Sequence, residues 1–387
     1  MSKSKPSAAY LRSLKKRYRQ ANRTERSAIL DEFVQTSGYH RKYAIAMLRG
    51  RQQPHRGPIR RPRARYYQGE DRAAVLQIAE WFDEISSRRL RAAMDVTLAD
   101  LRDQDHLRVS AACFGRLQTM SVSTLERIRA GARPSRRSGR GRALTKPGTL
   151  LKRQIPIRTF ATFADWDETR PGFVEIDLVA HCGADASGDF AQTLDATDVL
   201  TGWTELQAVQ NKAQIHVFAA LQTIRAQLPI PLLGIDSDNG AEFINQELLR
   251  YCDQERLTFT RGRVGRKNDN PFVEQKNWSV VRRIAGYDRY DTLRQVRLLN
   301  QVYTVYRLYI NFFLPVMKQK EKVRDGSRVR KIFDAPQTPY ARLLASPAVT
   351  DEDKARLRKI YATPDVVQLK QELEERLAAL DRSRKKR

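Results

Sequence analysis

The sequence predicts a multidomain protein: an all-α, helix-turn-helix N-terminal region, then an α/β domain built on one mixed sheet, then a mostly helical C-terminal tail. Three observations lead there. Apolar residues recur with helical spacing through residues 22–50 and 70–130, and strand patterns alternate with helical ones from about residue 165. Arginine-rich stretches without a single acid, 51–68 and 131–148, separate these zones. The expected layout is a basic helix-turn-helix region (1–55), an Arg/Pro linker (56–69), a second helical region that also fits a helix-turn-helix (70–131), a basic linker (132–164), the α/β domain (165–320) and a C-terminal segment, helical and basic at its end (321–387).

Charge narrows the partners. The 387-residue chain carries a formal +27. Residues 1–150 hold 33 Lys/Arg against 13 Asp/Glu, and the remainder 38 against 31, so +20 of the charge lies in the first part. A concentration of that kind points to a polyanion, and nucleic acid is the common one. No window approaches the roughly 18 apolar residues of a membrane span, and the basic start lacks the apolar core of a signal peptide. A soluble protein of the cytoplasm is expected. Cys113, Cys182 and Cys252 are too scattered for a disulfide framework or a zinc site, and the five histidines are scattered as well.

Along the chain, Asn22 followed by Glu25 forms a capping-box pattern, Ile29, Leu30 and Phe33 form an apolar stripe, and Ser37-Gly38 breaks the helix. The next helix is expected to turn Tyr43, Ala46 and Met47 inward, with Arg41, Lys42 and Arg49 outward as DNA contacts. Val75, Ile78 and Trp81 or Phe82 mark another helix. In "VSTLERIRAG", Ser123 with Glu126 reads as a second capping box, leaving Thr124, Arg127 and Arg129 to face a groove. Strands are predicted at "GFVEIDLVAHC" and on both sides of Thr201-Gly202. A helix ("AQIHVFAALQTIRAQL"), a short buried strand ("IPLLGIDSD"), a helix with Ile244, Leu248 and Cys252 on one face, a strand ("LTFTRG") and a helix from about 271 follow. Strand-strand-strand-helix-strand-helix-strand-helix is an α/β layout. Tyr303, Tyr306, Tyr309 and Phe312 lie at packing positions on a long helix over 292–315.

The acids raise a chemical question. Asp177 and Glu175 share one strand face, as do Asp236 and Asp238 on another strand. Asn270 suits an N-cap and Pro271 the first helical position, which places Glu274 near the helix start, with Trp278 and Val281 on its side. Singly, each acid has an ordinary reading: helix-dipole partner, turn residue, edge-strand charge. Together, three carboxylates repel unless a cation neutralises them, and an all-oxygen donor set suits Mg²⁺ or Mn²⁺.

The motif "SDNGAEF" (237–243) resembles the segment around the second catalytic aspartate of retroviral integrases and related insertion-sequence transposases, with Asp238 in that place. "DNPFVEQKNW" resembles the family's glutamate helix and "EIDLVAHCG" its first strand. Asp238 and Glu274 enclose 35 residues, as in that family, and 60 lie between Asp177 and Asp238. The resemblance covers about residues 165–320. It implies an RNase H-like fold and a DDE triad of Asp177, Asp238 and Glu274 binding two Mg²⁺ ions, with Mn²⁺ as a substitute. It further implies cleavage and strand transfer of double-stranded DNA by a homo-multimer that holds both element ends. Lys267, Asn270 and Lys276 fall where family members contact DNA. The start has no His-His-Cys-Cys set, which resembles bacterial transposases more than viral enzymes. The chain has no GxxxxGK[ST] loop, so an ATP-driven step calls for a helper ATPase. Two other readings compete: a nuclease of the same fold that cuts without joining, and a non-catalytic DNA-binding protein with a degenerate core. The presence of all three acids disfavours the last.

Overall fold

A computed structural model describes residues 7–50, 66–67, 69–130, 169–238, 240, 242–262, 271–325 and 328–384. The chain divides into two compact units, Met1–Tyr66 and Tyr67–Arg387.

The described residues of the first unit form three helices: α1 (Ala8–Gln20), α2 (Arg23–Ser37) and α3 (Arg41–Leu48). The expected capping box starts α2. The Glu25 amide donates to Asn22 Oδ1 (3.0 Å) and the Asn22 amide to Glu25 Oε2 (2.9 Å), which satisfies two otherwise orphaned donors. Gly38 ends the helix at φ 68°, a left-handed conformation that a side chain would strain. Leu14, Tyr18, Ile29, Leu30, Phe33, Ala44 and Leu48 form the core. In α3 the inward pair is Ala44 and Leu48, one turn apart, and this turns Tyr43 outward to 45% exposure, contrary to the expected inward position. Arg41, Lys42 and Arg49 are exposed. Arg41 is also held by an ion pair to Asp31 and a hydrogen bond to Ser27.

In the second unit, α4 (Gly69–Trp81), α5 (Ser87–Asp103), α6 (Ala111–Thr119) and α7 (Val122–Ala130) precede the sheet. Val75, Ile78 and Phe82 are buried. These helices are not separate from the α/β part. Asp83 pairs with Arg283, and Tyr309 Oη donates to the Trp81 carbonyl (2.6 Å). The start of α7 is capped by Ser121, which accepts from the Thr124 amide, rather than by Ser123.

The sheet comprises β1 (Phe173–Ala180), β2 (Gln192–Asp198), β3 (Thr204–Val209), β4 (Gly234–Ser237) and β5 (Thr258–Arg261), in the order β3-β2-β1-β4-β5. The first three are antiparallel, and β4 and β5 run parallel to β1. Parallel strands need crossovers, which α8 (Gln214–Gln227) and α9 (Gln246–Gln254) supply. This is the mixed α/β layout read from the sequence. After β5 come α10 (Pro271–Lys276), a π-helical turn (Asn277–Arg282), α11 (Arg283–Ala285) and α12 (Leu293–Leu308), which runs into a second π turn (Tyr309–Phe313). Tyr303, Tyr306, Tyr309 and Phe312 are all buried.

The C-terminal segment was expected to be helical, but it opens with a ribbon of β6 (Gln319–Asp325) and β7 (Arg328–Phe333). Val323, Val329 and Ile332 spaced among charged residues favour extended backbone over helix. Then follow α13 (Pro339–Ala345), α14 (Asp351–Tyr361) and α15 (Val366–Arg382), with α15 packed along α12. Among the described residues no helix is long and apolar enough to cross a membrane.

Candidate active site

The carboxylates gather because of strand register. Residues directly opposite each other on paired strands point to the same face. Asp177 on β1 lies opposite Asp195 on β2, and Glu175 lies opposite both Thr197 on β2 and Asp236 on β4. Asp238 follows directly after β4. One sheet face therefore carries Asp195, Asp177, Glu175 and Asp236, with Asp238 at its rim.

These acids do different work. Asp236 is buried and accepts from the hydroxyl of Thr260, its register partner on β5. Glu175 is buried and accepts from the Phe272 and Val273 amides (2.9 and 3.0 Å). Those amides are orphan donors in the first turn of α10, where a negative charge is favoured. Glu175 thus pins to β1 the helix that bears Glu274.

Asp177 accepts from its neighbour Leu178's amide (2.8 Å) and, at Oδ2, from the Asn277 side-chain amide (2.6 Å). Burial is the main force that raises its pKa, to about 7; the charges of Asp238 and, less strongly, Glu274 push the same way. Two of the sequence-predicted acids, one at a strand end and one on a helix, therefore act on the carboxyl group of the third. Asp238 is half-buried and accepts from the Gly240 amide (2.8 Å). A Cβ on Gly240 would lie 2.9 Å from Asp238 Oδ1 and 2.6 Å from Glu242 Cδ, so a side chain there would turn one of these carboxyl groups aside. Burial, and then Asp238, raises the buried Glu242 as well. Glu274 is exposed in the first turn of α10.

The π turn changes the helix face. In an uninterrupted helix, Glu274, Trp278 and Val281 would share one side. The i→i+5 step inserts a residue, leaving Trp278 65% exposed with Glu274 while Val281 is buried. The same turn delivers Asn277 to Asp177.

Sequence reasoning missed Asp195, Glu242, Asn277 and the capping role of Glu175. Thr193, Asp195 and Thr197 alternate with Leu194 and Ala196 on β2, a pattern that reads as a solvent-facing polar side. In the fold α10 covers this strand. Burial pushes the Asp195 carboxyl up, against the pull of the Thr197 hydroxyl and Lys276.

Two of the expected DNA contacts are engaged within the protein. Lys276 turns inward: its Nζ donates to the Gly202 carbonyl (3.0 Å), Asp195 is its charge partner, and burial lowers its pKa. Arg129 is 1% exposed and bonded to Glu84 (2.9 Å) and Ser87 (3.1 Å), because α7 lays it against the end of α4 and the start of α5. Thr124 is likewise buried, whereas Arg127 is exposed and bonded back to Thr124 (3.0 Å). Lys267 and Asn270 lie outside the described residues.

The donor set suits a hard cation in its chemistry. It is all oxygen, and Asp195 Oδ2, opposite Asp177 in register, and Asn277 Oδ1 are buried without a hydrogen-bond partner among the described residues. Among the described residues, no three His, Cys, Asp or Glu side chains converge closely enough to hold a metal ion as they stand.

Fold and site together define an α/β protein whose mixed sheet carries a carboxylate-lined rim closed by a helix. Its sequence is 39% identical over 327 residues to uncharacterized protein y4rM of Sinorhizobium fredii (strain NBRC 101917 / NGR234), a match that spans 84% of this chain and 91% of the relative. The chain belongs to the y4rM family. No protein-family model matches it. Among solved structures it is similar in part to the catalytic core domain of BIV integrase (TM-score 0.29, 16% identity, 44% of this chain and 91% of that one). It is also similar in part to the HTLV-2 integrase catalytic core domain in complex with magnesium, in its dimeric form (TM-score 0.30, 16% identity, 39% of this chain and 93% of that one).

Proposed function

We propose that the chain is a DDE polynucleotidyl transferase of the bacterial insertion-sequence transposase type, with an RNase H-like core, acting on double-stranded DNA. Asp177, Asp238 and Glu274 are its catalytic and metal-holding residues. The observation that supports this reading is the placement of the three acids on adjoining elements: Asp177 lies in β1, Asp238 directly follows β4, which pairs with β1, and Glu274 lies on α10, whose first turn is bonded to Glu175 of β1. Three carboxylates in mutual repulsion are what a pair of Mg²⁺ ions, or Mn²⁺ in their place, would relieve. When bound, such a pair supplies activation of a nucleophilic oxygen and stabilisation of a leaving one in phosphoryl transfer.

The chain's own residues prepare that site. Glu175 fixes the Glu274 helix to β1, Asn277 orients Asp177, and the Gly240 amide donates to Asp238. Arg41, Lys42 and Arg49, exposed on and just after α3, are assigned to element-end recognition by a helix-turn-helix, and Arg127 to a second contact. Lys267 and Asn270 keep their proposed place beside the DNA. Holding two ends together calls for a homo-multimer in the bacterial cytoplasm.

The test is a strand-transfer assay with the element's own ends and Mg²⁺, with Glu274→Gln as control. Joined product that disappears in the variant is the expected result. Activity that survives in Glu274→Gln refutes the triad. Cleavage without joining assigns the protein to the nucleases.

A further inference from the structure

The ribbon of β6 and β7 carries its charge unevenly. Lys322 lies directly opposite Lys331, and Arg324 opposite Val329, so these four share one face. All four are exposed, and none of the three cations is in an ion pair among the described residues. Like charges directly across a strand pair destabilise it. On the other face, Glu321 lies opposite Ile332 and Val323 opposite Arg330, so that face carries both signs of charge. The cationic face therefore has no paired acid among the described residues, and an exposed valine, 46% accessible, sits among the cations.

The root of the ribbon is firmly held. Lys318 and Asp334 exchange two hydrogen bonds (2.7 and 3.0 Å), and Val316 and Gln337 form a bridge below them. Lys318 Nζ donates to the Val199 and Leu200 carbonyls (2.6 and 2.8 Å) in the β2–β3 turn and lies over the Phe272 ring of α10 (5.2 Å). Anything bound along the ribbon thus starts beside the helix that bears Glu274.

We propose that the Lys322–Arg324–Lys331 face is a further DNA-binding surface, which lays the ribbon in the major groove of a B-form duplex. That groove, about 12 Å wide, admits a two-stranded ribbon. The deep, narrow major groove of A-form RNA does not. The cations meet phosphates and Val329 supplies an apolar contact of the kind thymine methyls offer. This goes beyond the catalytic reading, because the ribbon can bind a duplex whether or not the acids cut it.

The experiment is fluorescence anisotropy of the full chain with a labelled DNA duplex of arbitrary sequence over a range of salt, with circular dichroism to verify folding. The triple variant Lys322→Ser/Arg324→Ser/Lys331→Ser is expected to bind roughly 10-fold more weakly. Its log K versus log salt slope should be shallower by up to about 2.7, as follows from about 0.9 per phosphate contact. Lys331→Ser alone should lower the slope by about 0.9, whereas Arg330→Ser on the opposite face leaves it nearly unchanged. Lys331→Arg should bind like wild type. Wild-type binding by the triple variant, an equal effect of Arg330→Ser, or equal competition by duplex RNA overturns the proposal. Glu274→Gln is expected to keep the ribbon-dependent slope, so a failure of the catalytic reading stays distinct from a failure of this one.

Discussion

Glu175 offers the sharpest test of how the site is held together. It is fully buried, and Oε2 receives both the Phe272 and Val273 amides. In Glu175→Gln the side chain keeps its size and one carbonyl acceptor but loses its charge. Hydrogen bonds to a charged acceptor contribute about 1.5–3 kcal/mol and neutral ones about half that, so two weakened bonds remove roughly 1–3 kcal/mol from the local anchoring of α10. Glu175→Ala removes the acceptor and leaves both amides without one, at a cost of about 3–5 kcal/mol. The assay is hydrogen exchange read by mass spectrometry on peptides spanning 271–282. The local loss translates to roughly 10- to 100-fold faster exchange in the glutamine variant, and more in the alanine variant, while peptides from α1–α3 keep wild-type rates. Exchange over 271–282 that is unchanged in both variants would falsify the anchoring role. It would also remove the link between β1 and the position of Glu274.

Three further outcomes follow from the same geometry. Gly240→Ala brings a Cβ to within 2.6 Å of the Glu242 carboxyl, which can turn aside, and should change stability by less than about 1 kcal/mol by urea melt; a loss of about 3 kcal/mol or more contradicts that freedom. His181 is buried, bonded to Thr193 (2.7 Å), and its pKa is depressed by burial to about 3. The fold therefore favours the neutral ring: its stabilising effect is complete above about pH 6.5 and is lost as pH falls from there toward 3, roughly 2 kcal/mol by pH 5. His181→Gln should flatten that part of the urea-midpoint profile, and an identical slope in the variant would count against it. Lys276→Met should cost about 2–4 kcal/mol by stranding Asp195 without its counter-charge, while DNA affinity stays within about twofold of wild type; a fall in affinity without a loss of stability would return Lys276 to the DNA interface.

Elements whose cause is local were legible in the sequence. The Asn22–Glu25 capping box, the Gly38 break, the turn at Gly202 and the order of strands and helices from β1 to α10 depend on residues within a few positions of one another, and the structure contains each. Tyr43 and the Ser121 cap were misjudged by about a quarter-turn and by two residues, because a helix's exact rotation depends on what it packs against. The β6–β7 ribbon was missed since its alternation of charge and valine carries little apolar signal.

By itself the sequence determined where the candidate acids stand in the chain. Asp177, Asp238 and Glu274 stand at strand, strand-end and helix-start positions, and the motif around Asp238 singles it out from Asp236. Only the tertiary structure decided which neighbours those acids have. Register sets Asp195 opposite Asp177, the π turn swings Asn277 onto it, and the α10 backbone claims Glu175. Lys276 and Arg129, basic residues that a sequence offers to DNA, are drawn inward by Asp195 and Glu84. The physical reason is range. Caps and periodicity act within a turn or two, whereas the charge a group feels depends on burial and on partners up to a hundred residues away, which no local pattern encodes.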